Sequence, residues 1–581
     1  MPRIAAYTTG QLDATLARLG EARYRPLVGL DVEAWLTSEP VSYAHRRTGE
    51  HLRLGPGDTW GELFDCAWFH FTGIVPAAAA GEHVALLLDV HGEMLIVDDE
   101  GNPHRGLTTV TSVFDMSLGA PGKRMLSLHD PAAGGDAIDV WADAGCNDLF
   151  GNLQGNGTLK EARIVTVRSE VRALYYDMEV LLDLLRCLPQ DSPTYRQLRA
   201  ALTEVAHLVV AADPQMISEA AILESRALLA PHLQRHGGDP ALHISAVGHA
   251  HMDLAWLWPL RETIRKGART FSTALDLIDR YPGYVFGASQ PQYFAWMKSE
   301  YPVLYERIRA AVADGRIEPQ GAMWVEADTN ISGGEALVRQ ILLGRRFWQA
   351  EFNVDVDHLW LPDVFGYSAA LPQIMRQAGI DTFATQKLSW SLINRFPHHS
   401  FQWEGVDGSV VIAHMFPEDT YNGPALPRSV RKIETDYADA DVSDHALMVF
   451  GIGDGGGGPG SEHLERLHRI RDLAGLSPVR PSSAADFFQR WREDAPNFAR
   501  WVGELYLERH QGTLTTQAAV KRGNRKMEKA LRELEMLALI VECQLGRPYP
   551  RQDLQAGWEE TLLYQFHDIL PGSCSPAAAA M

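Results

Sequence analysis

Three residues of metal-binding type occupy alternate positions in the run VGHAHMDLAW, namely His249, His251 and Asp253. The apolar run ISAV precedes them, so they lie at the end of a predicted buried strand. Because alternate side chains of an extended chain share a face, we expect all three to point the same way. A neutral imidazole and a carboxylate can hold a divalent ion between them. The spacing therefore predicts a metal site, with a polar loop whose histidines bind backbone groups as the alternative.

Two aspartates end other predicted strands, beside turns of small residues. Asp363 follows HLWLP and precedes VFGYS, and Asp454 follows ALMVFGIG and precedes four glycines. A carboxylate beside such a turn is typical of α/β active sites, because the turn lets a substrate approach the backbone. An isolated Asp more often closes an Asx-turn or caps a helix. The glycine run has neither GK[ST] nor GxGxxG, which excludes a phosphate-binding loop.

A further pair, His567-Asp568, follows a predicted helix near a Gly/Pro turn in LLYQFHDILPGS. Taken alone, it indicates no more than a histidine at a helix end, where it balances the helix dipole.

Aromatic residues accompany these acids along the chain. Most of them are expected in the core, because aromatic side chains bury a large area. Those beside catalytic acids can instead present flat faces to sugar C–H groups. Paired carboxylates with aromatic platforms indicate glycoside hydrolysis. The aromatic residues concerned are Trp256, Trp258, Tyr293, Trp296, Trp324, Tyr367, Trp390 and Trp403.

Composition excludes several other classes of protein. The net charge of -21 repels phosphate backbones, so neither nucleic acid nor an anionic membrane is expected as a partner. The five cysteines are scattered and form no CxxC pair, which argues against a disulfide framework and a cysteine zinc site. The N-terminus has no signal-peptide pattern, and no run approaches the ~18 apolar residues of a membrane span. We expect a cytoplasmic protein.

The elements that position these residues fall into segments. Residues up to about 60 show no regular pattern, and short strand-like runs between about 66 and 170 predict an antiparallel sandwich. Apolar residues every three or four positions predict helices over 171–235, and Gly237-Gly238-Asp239-Pro240 ends this segment. Alternating strands and helices then predict a mostly parallel sheet.

The last segment is predicted to be helical. One long helix is expected over 516–545, and a second helix over 551–566. We therefore predict a β-rich domain over 1–170, a helical connecting segment over 171–240, a catalytic domain over 241–515 and an incomplete helical bundle over 516–581. The apolar stripe of the long helix consists of Met527, Leu531, Leu534, Ala538 and Val541.

These motifs resemble glycoside hydrolase family 38, and within it the cytosolic or vacuolar type of α-mannosidase. The resemblance implies an N-terminal β-sandwich-like domain with helices, a (β/α)7-type catalytic barrel and the start of a helical bundle. Chains of this family continue well past HDILPGS, so the resemblance implies a C-terminally truncated chain, with a homo-oligomer possible in the full-length form. The matching stretches are VGHAHMDLAWLWPLRET, WVEADTNISGGEALVRQ, WLPDVFGYSAALPQIM, TQKLSW, NRFPHHSFQWEG, GDGGGGPG, GELYLERHQGTLTTQAAVKR, YQFHDILPGS and, more weakly, CAWFHFTGIVP.

The resemblance also implies roles for individual residues. A zinc ion, or cobalt or another divalent ion, is expected, with Asp363 as nucleophile, Asp454 as general acid/base and His249 only beside the ligands. The implied metal ligands are His251, Asp253, Asp363 and His567. The implied substrate-binding residues are Trp256, Asp568, Asp328 and His510, with Lys387 and Glu508 as further subsite residues.

The expected activity is metal-dependent hydrolysis of terminal α-linked mannose from oligosaccharides, through a covalent mannosyl-enzyme and with retention of configuration. Two alternatives stay open. A strand-end metallohydrolase such as a carbohydrate deacetylase would use metal-bound water as its nucleophile and release acetate. A catalytically impaired carbohydrate-binding fragment would bind the sugar without turnover.

Overall fold

The computed structural model describes residues 7–111, 122–238 and 240–579. Asp239, within the predicted boundary at 237–240, therefore lies outside the described residues. The helices are α1 (Thr9–Ala22), α2 (Ser169–Cys187), α3 (Pro193–Leu208), α4 (Glu219–Leu233), α5 (Leu260–Arg280), α6 (Pro291–Glu300), α7 (Pro302–Ala313), α8 (Gly334–Phe352), α9 (Leu371–Gln377), α10 (Pro427–Asp436), α11 (Ser461–Ile470), α12 (Ala484–Trp491), α13 (Ala518–Leu545), α14 (Arg551–Leu563) and α15 (Pro576–Ala579).

The strands are β1 (Tyr24–Gly29), β2 (Asp31–Thr37), β3 (Glu50–Leu54), β4 (Thr59–Gly61), β5 (Cys66–Ile74), β6 (Val84–Asp89), β7 (Glu93–Val97), β8 (Pro103–Leu107), β9 (Met125–His129), β10 (Ala137–Gly145), β11 (Gly157–Thr158), β12 (Glu161–Val167), β13 (His243–His249), β14 (Phe286–Ser289), β15 (Ile317–Gln320), β16 (His358–Trp360), β17 (Thr382–Thr385), β18 (Ser400–Glu404), β19 (Val410–Met415), β20 (His445–Phe450), β21 (Val479–Pro481) and β22 (Ala499–Val502).

Two antiparallel sheets form a sandwich in the N-terminal part of the chain. Their strand orders are β1-β12-β6-β9 and β3-β2-β5-β10-β7-β8. Phe69 and Phe71 of one sheet and Leu86 and Leu88 of the other belong to one buried hydrophobic core. This confirms the predicted sandwich, in which residues facing the core alternate along each strand with residues facing outward.

The prediction of no regular structure before residue 60 was wrong. Helix α1 begins after Thr8, whose hydroxyl accepts from the Gln11 backbone N–H while the Gln11 side chain accepts from the Thr8 N–H. This capping box is a recognisable sequence signal for a helix start. The edge strands β1 and β3 bury none of their residues completely, so the apolar alternation that marks a half-buried strand is weak there.

Helices α2, α3 and α4 confirm the predicted helical segment, and α2 forms ion pairs with two later helices. Arg466 of α11 lies 2.7 Å from Glu179 of α2, and Arg428 of α10 lies 2.7 Å from Asp183 of α2. Since both carboxylates belong to α2, this helix, which directly follows the last sandwich strand, is joined to α10 and α11.

Residues 243–502 confirm the predicted, mostly parallel strands. One sheet has the order β15-β14-β13-β20, with β21 beside β13, and all of its pairings are parallel. The other has the order β16-β17-β19-β18-β22, in which only the β18–β19 pairing is antiparallel. Strands β13, β16 and β20 end just before Asp253, Asp363 and Asp454 respectively, so their carboxyl ends carry the predicted site. Because the described strands pair as two sheets, the closed barrel stays a prediction.

The long helix α13 ends at Gly546, which adopts the left-handed conformation expected of a helix C-cap. Its predicted apolar stripe is only partly buried: Leu531 is buried, whereas Met527 and Leu534 are exposed. Domain boundaries are not tested by these observations and stay predictions. Among the described residues, no helix is both long and apolar enough to cross a bilayer.

Candidate active site

Three of the predicted metal ligands converge at the carboxyl ends of the parallel strands. The ligand atoms of His251, Asp253 and His567 all lie within 4.8 Å of one another, and all three side chains are buried. The Nε2 atom of His251 lies 3.0 Å from Asp253 Oδ1, and that of His567 lies 3.5 Å from the same oxygen. Asp363 Oδ2 lies 3.7 Å from His567 Nε2. These four residues are called the metal cluster below.

The atoms of this cluster that face one another have no hydrogen-bond partner. They are His251 Nε2, Asp253 Oδ1 and His567 Nε2, and each is shielded from solvent. Buried polar atoms are normally satisfied, so unpartnered atoms that converge on one point indicate a missing ligand. A set of two imidazoles and two carboxylates suits zinc and related divalent ions. The residues therefore fit the expected metal ion.

Glu326 lies beside both histidines, on the side of each ring away from the metal cluster. Its backbone carbonyl accepts from Nδ1 of His567 at 2.7 Å, and its Oε2 atom lies 2.9 Å from Nδ1 of His251. Because a carbonyl can only accept, His567 donates from Nδ1, and its neutral form then presents an unprotonated Nε2, which is the form that binds a metal. Ser289 Oγ in turn donates to Glu326 Oε1 at 2.7 Å and fixes the carboxylate.

The electrostatics of the cluster favour positive charge. Burial opposes it, but the charges of Glu326 and Asp253 hold the pKa of His251 well above its ordinary value. Burial likewise opposes the shift at His567, where the nearby Asp253 and the charge of Asp568 raise the pKa to about 9. Against the effect of burial, the charge of His251 lowers the pKa of Asp253 to about 2. The cluster is thus a buried anionic centre that a cation stabilises.

Backbone contacts hold the metal-binding turn in place. The N–H of Asp253 donates to the carbonyl of Asp454 at 2.8 Å, and the Tyr293 hydroxyl donates to the carbonyl of Asp253 at 2.9 Å. Gln290, whose φ of 67° is left-handed, donates to the Met252 carbonyl at 2.8 Å and accepts from the Glu326 N–H at 3.1 Å. The turn after β13 is therefore clamped to the neighbouring strand ends.

Asp363 and Asp454 are joined by one hydroxyl group. The Tyr421 hydroxyl lies 3.1 Å from Asp363 Oδ1 and 2.6 Å from Asp454 Oδ1. These two oxygens therefore lie within about 6 Å of each other, compatible with the ~5–5.5 Å of retaining glycosidases and below the ~6.5–9.5 Å of inverting ones. Lys387 donates to Asp363 Oδ1 at 2.5 Å and adds a buried positive charge beside it.

Asp454 is suited to carry a proton. Burial raises its pKa to about 6, with further contributions from the charges of Asp253 and Asp363. Its φ of 59° lies in the left-handed region, which is strained for a residue other than glycine. The carboxyl group is therefore held beside Asp363 by the loop that follows β20.

The predicted substrate residues lie at different distances from this centre. Asp568 is closest: its Oδ2 lies 3.8 Å from His567 Nε2, and burial raises its pKa to about 7. Asp328 is buried and its Oδ1 accepts from the N–H groups of Asn330 and Ile331, so part of it is used in a turn. Trp256 is half-buried, and its carbonyl accepts from the Ser575 N–H at 2.6 Å.

Lys387 and His510 border Asp363, whereas Glu508 is engaged elsewhere. The His510 ring lies 4.8 Å from the Phe365 ring, which is 5.7 Å from His567. Glu508 accepts from the N–H groups of Ile393 and Asn394 at 3.0 and 2.7 Å. Its carboxylate therefore holds the loop at 391–394.

Models of known families cover most of the chain. The model described as "Glycosyl hydrolases family 38 N-terminal domain" matches residues 241–504, "Alpha-mannosidase, jelly roll domain" matches 25–171, and "Alpha mannosidase middle domain" matches 508–581. The chain belongs to glycosyl hydrolase family 38.

Individual relatives agree with this membership. Human "Alpha-mannosidase 2C1" is 38% identical over 558 residues, covering 94% of this chain and 52% of that protein. "Alpha-mannosidase G" of Dictyostelium discoideum is 37% identical over 545 residues, covering 92% of this chain and 49% of that protein. The chain thus spans about half the length of the curated relatives it matches.

One solved structure supports the fold. The crystal structure of an alpha-mannosidase from Enterococcus faecalis V583 superposes with a TM-score of 0.52 at 21% identity, covering 58% of this chain and 40% of that one.

Two residues of this family 38 site were missed in the sequence. Glu326 ends the run MWVE shortly after β15, as the predicted acids end their runs, whereas Tyr421 lies in PEDTYN, six residues beyond β19. The strand-end rule used for Asp363 points to Glu326 as well. Tyr421 had no such signal, because a single tyrosine in a polar loop resembles any surface residue.

His249 lies outside the metal cluster. Both of its ring nitrogens lack a hydrogen-bond partner, and its ring is 5.3 Å from that of Trp360. The alternation rule that placed it with His251 fails because β13 ends at His249 and the chain then turns. Of the aromatic residues, Trp258, Tyr293, Trp324, Tyr367 and Trp403 are buried in the core, as expected of most of them.

Proposed function

We propose that this family 38 chain carries the catalytic machinery of a metal-dependent, retaining α-mannosidase that removes terminal α-linked mannose from oligosaccharides. The observation that carries the proposal is the Tyr421 hydroxyl between Asp363 and Asp454, next to the unpartnered atoms of the metal cluster. The relatives described as alpha-mannosidases support the same sugar.

The metal would be held by His251, Asp253, Asp363 and His567. Bound there, a divalent ion such as zinc would offer Lewis-acid contacts to neighbouring hydroxyl groups of the sugar. Lys387 and Tyr421 both contact Oδ1 of Asp363, which leaves Oδ2 facing His567.

In the first step, Asp363 attacks the anomeric carbon while Asp454 gives its proton to the leaving glycosidic oxygen. The C–O bond to the leaving group breaks and an ester bond between mannose and Asp363 forms. In the second step, the ionised Asp454 takes a proton from water, whose oxygen displaces Asp363 and restores it. The raised pKa of Asp454 and its short separation from Asp363 suit both roles.

The substrate residues belong to the same proposal. Asp568 would bind sugar hydroxyl groups, and the half-buried Trp256 would provide a stacking surface. Asp328, Lys387, Glu508 and His510 would line further parts of the subsite, with Glu508 acting through the 391–394 loop that it holds.

We also propose that the two sheets form the halves of one (β/α)7-type barrel. The N–H of Ala322, which follows β15, donates to the carbonyl of His358 in β16 at 3.0 Å and bridges the sheets. Three further predictions are untested: the domain boundaries, the cytoplasmic location and a homo-oligomer of the full-length form.

The two alternative functions have less support. A deacetylase needs a metal-bound water but no second carboxylate at retaining distance. An impaired binding protein has no need for a carboxyl group whose pKa is raised beside a nucleophile.

Hydrolysis of 4-nitrophenyl α-mannoside, before and after chelation and after zinc is added back, tests the proposal. We expect activity to disappear with the metal and to return with it. A fluorinated mannosyl fluoride should label Asp363 covalently, which peptide mass spectrometry detects. Activity indifferent to chelation, a label on another residue, or release of acetate from acetylated sugars with intact glycosidic bonds would overturn it.

The acid role has its own test. Asp454→Ala should slow cleavage by ~10²–10⁴-fold for substrates with poor leaving groups and far less for activated ones, because the latter need no protonation. Metal content should be unchanged. Equal slowing for both kinds of substrate would contradict general acid catalysis by Asp454.

A further inference from the structure

The loop that carries Asp454 is built almost entirely of glycine. It comprises residues 451–458 and is called the acid loop. Ile452 and Gly458 exchange two backbone hydrogen bonds, of 3.1 and 2.6 Å, so the loop is closed at its base. Gly456 has a φ of 78°, a conformation that side chains disfavour. Because glycines have the greatest conformational freedom, contacts from outside the loop must fix the position of Asp454.

One lysine of the N-terminal sandwich reaches into this loop. Lys123 is buried, and its backbone exchanges two hydrogen bonds of 2.9 Å with Thr108, at the end of β8. Its ammonium group donates to the carbonyl of Gly457 and lies 3.5 Å from that of Gly458. Burial lowers the pKa of Lys123 to about 8, so the amine is mostly charged at neutral pH. A charged donor makes a stronger hydrogen bond to a carbonyl than a neutral one.

Two further contacts press the acid loop between the sandwich and α5. A methyl group at Gly455 would overlap the carbonyl of Leu149, so the sandwich backbone touches the residue after Asp454. From the other side, the Thr270 hydroxyl of α5 donates to the carbonyl of Gly456. Lys123 is thus the charged member of a set of contacts that begins one residue beyond Asp454.

We propose that Lys123 is a positioning residue for the acid/base Asp454. The proposal rests on the proposed function, since it takes Asp454 as the proton donor. Through the carbonyls of Gly457 and Gly458, the lysine holds the acid loop and thereby the carboxyl group against Tyr421. The N-terminal sandwich would therefore take part in catalysis without contacting substrate.

The expected defect is specific to proton transfer. Without the ammonium group, the carbonyl of Gly457 loses this donor, and fewer contacts hold the acid loop in place. A misplacement of about 1 Å can cost about 10²-fold in rate when geometry is decisive. Attack by Asp363 does not depend on the acid loop to the same extent, because Lys387 and the metal cluster surround that residue.

Lys123→Met tests the inference, with Arg261→Met as a matched control. Arg261 joins α5 to the sandwich through an ion pair with Glu39 and a hydrogen bond to the carbonyl of Phe64, and neither partner belongs to the acid loop. We expect Lys123→Met to lower kcat/KM for mannobiose by about 10–100-fold and for 2,4-dinitrophenyl α-mannoside by less than about 3-fold, with metal content unchanged. Arg261→Met should change kcat/KM for both substrates by the same small factor.

Two results separate this inference from the proposed function. If Asp454→Ala shows the leaving-group dependence but Lys123→Met slows both substrates equally, only the role of Lys123 falls. If Asp454→Ala itself lacks that dependence, Asp454 is not the general acid and the proposed mechanism is wrong. Hydrogen exchange gives a readout without turnover: the amides of residues 455–458 should exchange faster in Lys123→Met and not in Arg261→Met. Unchanged exchange in that segment would overturn the inference.

Discussion

Two groups of buried charged side chains differ in how their atoms are satisfied. In the ion-pair network between the sandwich and α5, every carboxylate faces a cation. Lys266 and Arg269 both lie 2.6 Å from Glu93 Oε2, and Arg265 lies 2.6 Å from Asp143 Oδ1. In the metal cluster, the facing atoms of His251, Asp253 and His567 have no hydrogen-bond partner. The network also includes Glu262, which is 2.6 Å from Arg265.

The difference separates a structural group from a functional one. A buried charge costs several kcal/mol unless it is paired, and breaking such a pair is strongly destabilising. The network completes its pairs within the chain, so its role is to join the sandwich to α5. The metal cluster leaves buried ligand atoms without a hydrogen bond at one point, where a cation would bind them together. Substitutions in the two groups should therefore alter different properties.

The largest expected effect is at Asp363, which belongs to the metal cluster and is the proposed nucleophile. Asp363→Ala should lower kcat by on the order of 10⁴-fold or more and also weaken metal binding, because one side chain serves both purposes. Steady-state kinetics and metal titration measure the two effects. The exposed Asp314→Ala is the control and should change neither. Full retention of metal affinity in Asp363→Ala would contradict the double role.

The same comparison predicts the opposite pattern for the ion-pair network. Glu93→Gln removes the charge that Lys266 and Arg269 share and should lower the free energy of unfolding by about 3–5 kcal/mol, as measured by denaturation. Metal affinity should stay as in the unsubstituted protein. Glu100→Gln, at an exposed turn, is the control for stability. Loss of metal without loss of stability would show that the two groups are not separate.

Local sequence patterns predicted the elements better than the contacts between them. The helical period over 171–235 predicted α2 to α4, and the strand-like runs near 66–170 predicted the sandwich strands. His251 and Asp253 could be paired from their spacing, because both lie in one turn after one strand. Asp363 and His567 joined them only through the family resemblance, since no local pattern tells which of many distant strand and helix ends will meet.

The contacts that were missed are tertiary ones. Tyr421 lies between Asp363 and Asp454 because the loops after β16, β19 and β20 meet at one edge of the sheets. Periodicity carries no information on such a meeting. The ion-pair network was missed for the same reason: Glu93 and Lys266 are far apart in the sequence and lie in different segments of the fold.

The Glu326→Gln variant tests whether a residue that contacts the metal ligands, without being one, contributes to metal binding. Glu326→Gln keeps the shape of the side chain but removes the negative charge beside Nδ1 of His251. We expect metal affinity to fall by about 10–100-fold, the usual effect of losing such a partner of a ligating histidine. Competition with a fluorescent chelator measures it. Glu93→Gln is the matched control, being the same change at another buried carboxylate. Equal metal affinity in both variants would remove Glu326 from the site.

The smallest expected effect concerns Glu418, a buried carboxyl group that belongs to neither group. Its Oε2 has no hydrogen-bond partner among the described residues, and burial raises its pKa from 4.5 to about 7, against the charges of Lys432 and Arg428. The folded protein therefore holds this proton more tightly than the unfolded chain. The resulting stability is complete below about pH 4.5 and is lost as the pH rises through about 7.

Glu418→Gln should remove this pH dependence, because the amide has no proton to lose. Compared with the variant, the unsubstituted protein should lose on the order of 1–3 kcal/mol of unfolding free energy between about pH 4.5 and 7. Denaturation at several pH values measures the difference, with the exposed Glu300→Gln as control. A difference that is constant with pH would mean that Glu418 is ionised in the folded protein. Glu418 would then be ionised although no hydrogen-bond partner for its Oε2 is seen in the described part of the chain. In that case, the absence of hydrogen bonds would not by itself be evidence that the metal cluster binds a cation.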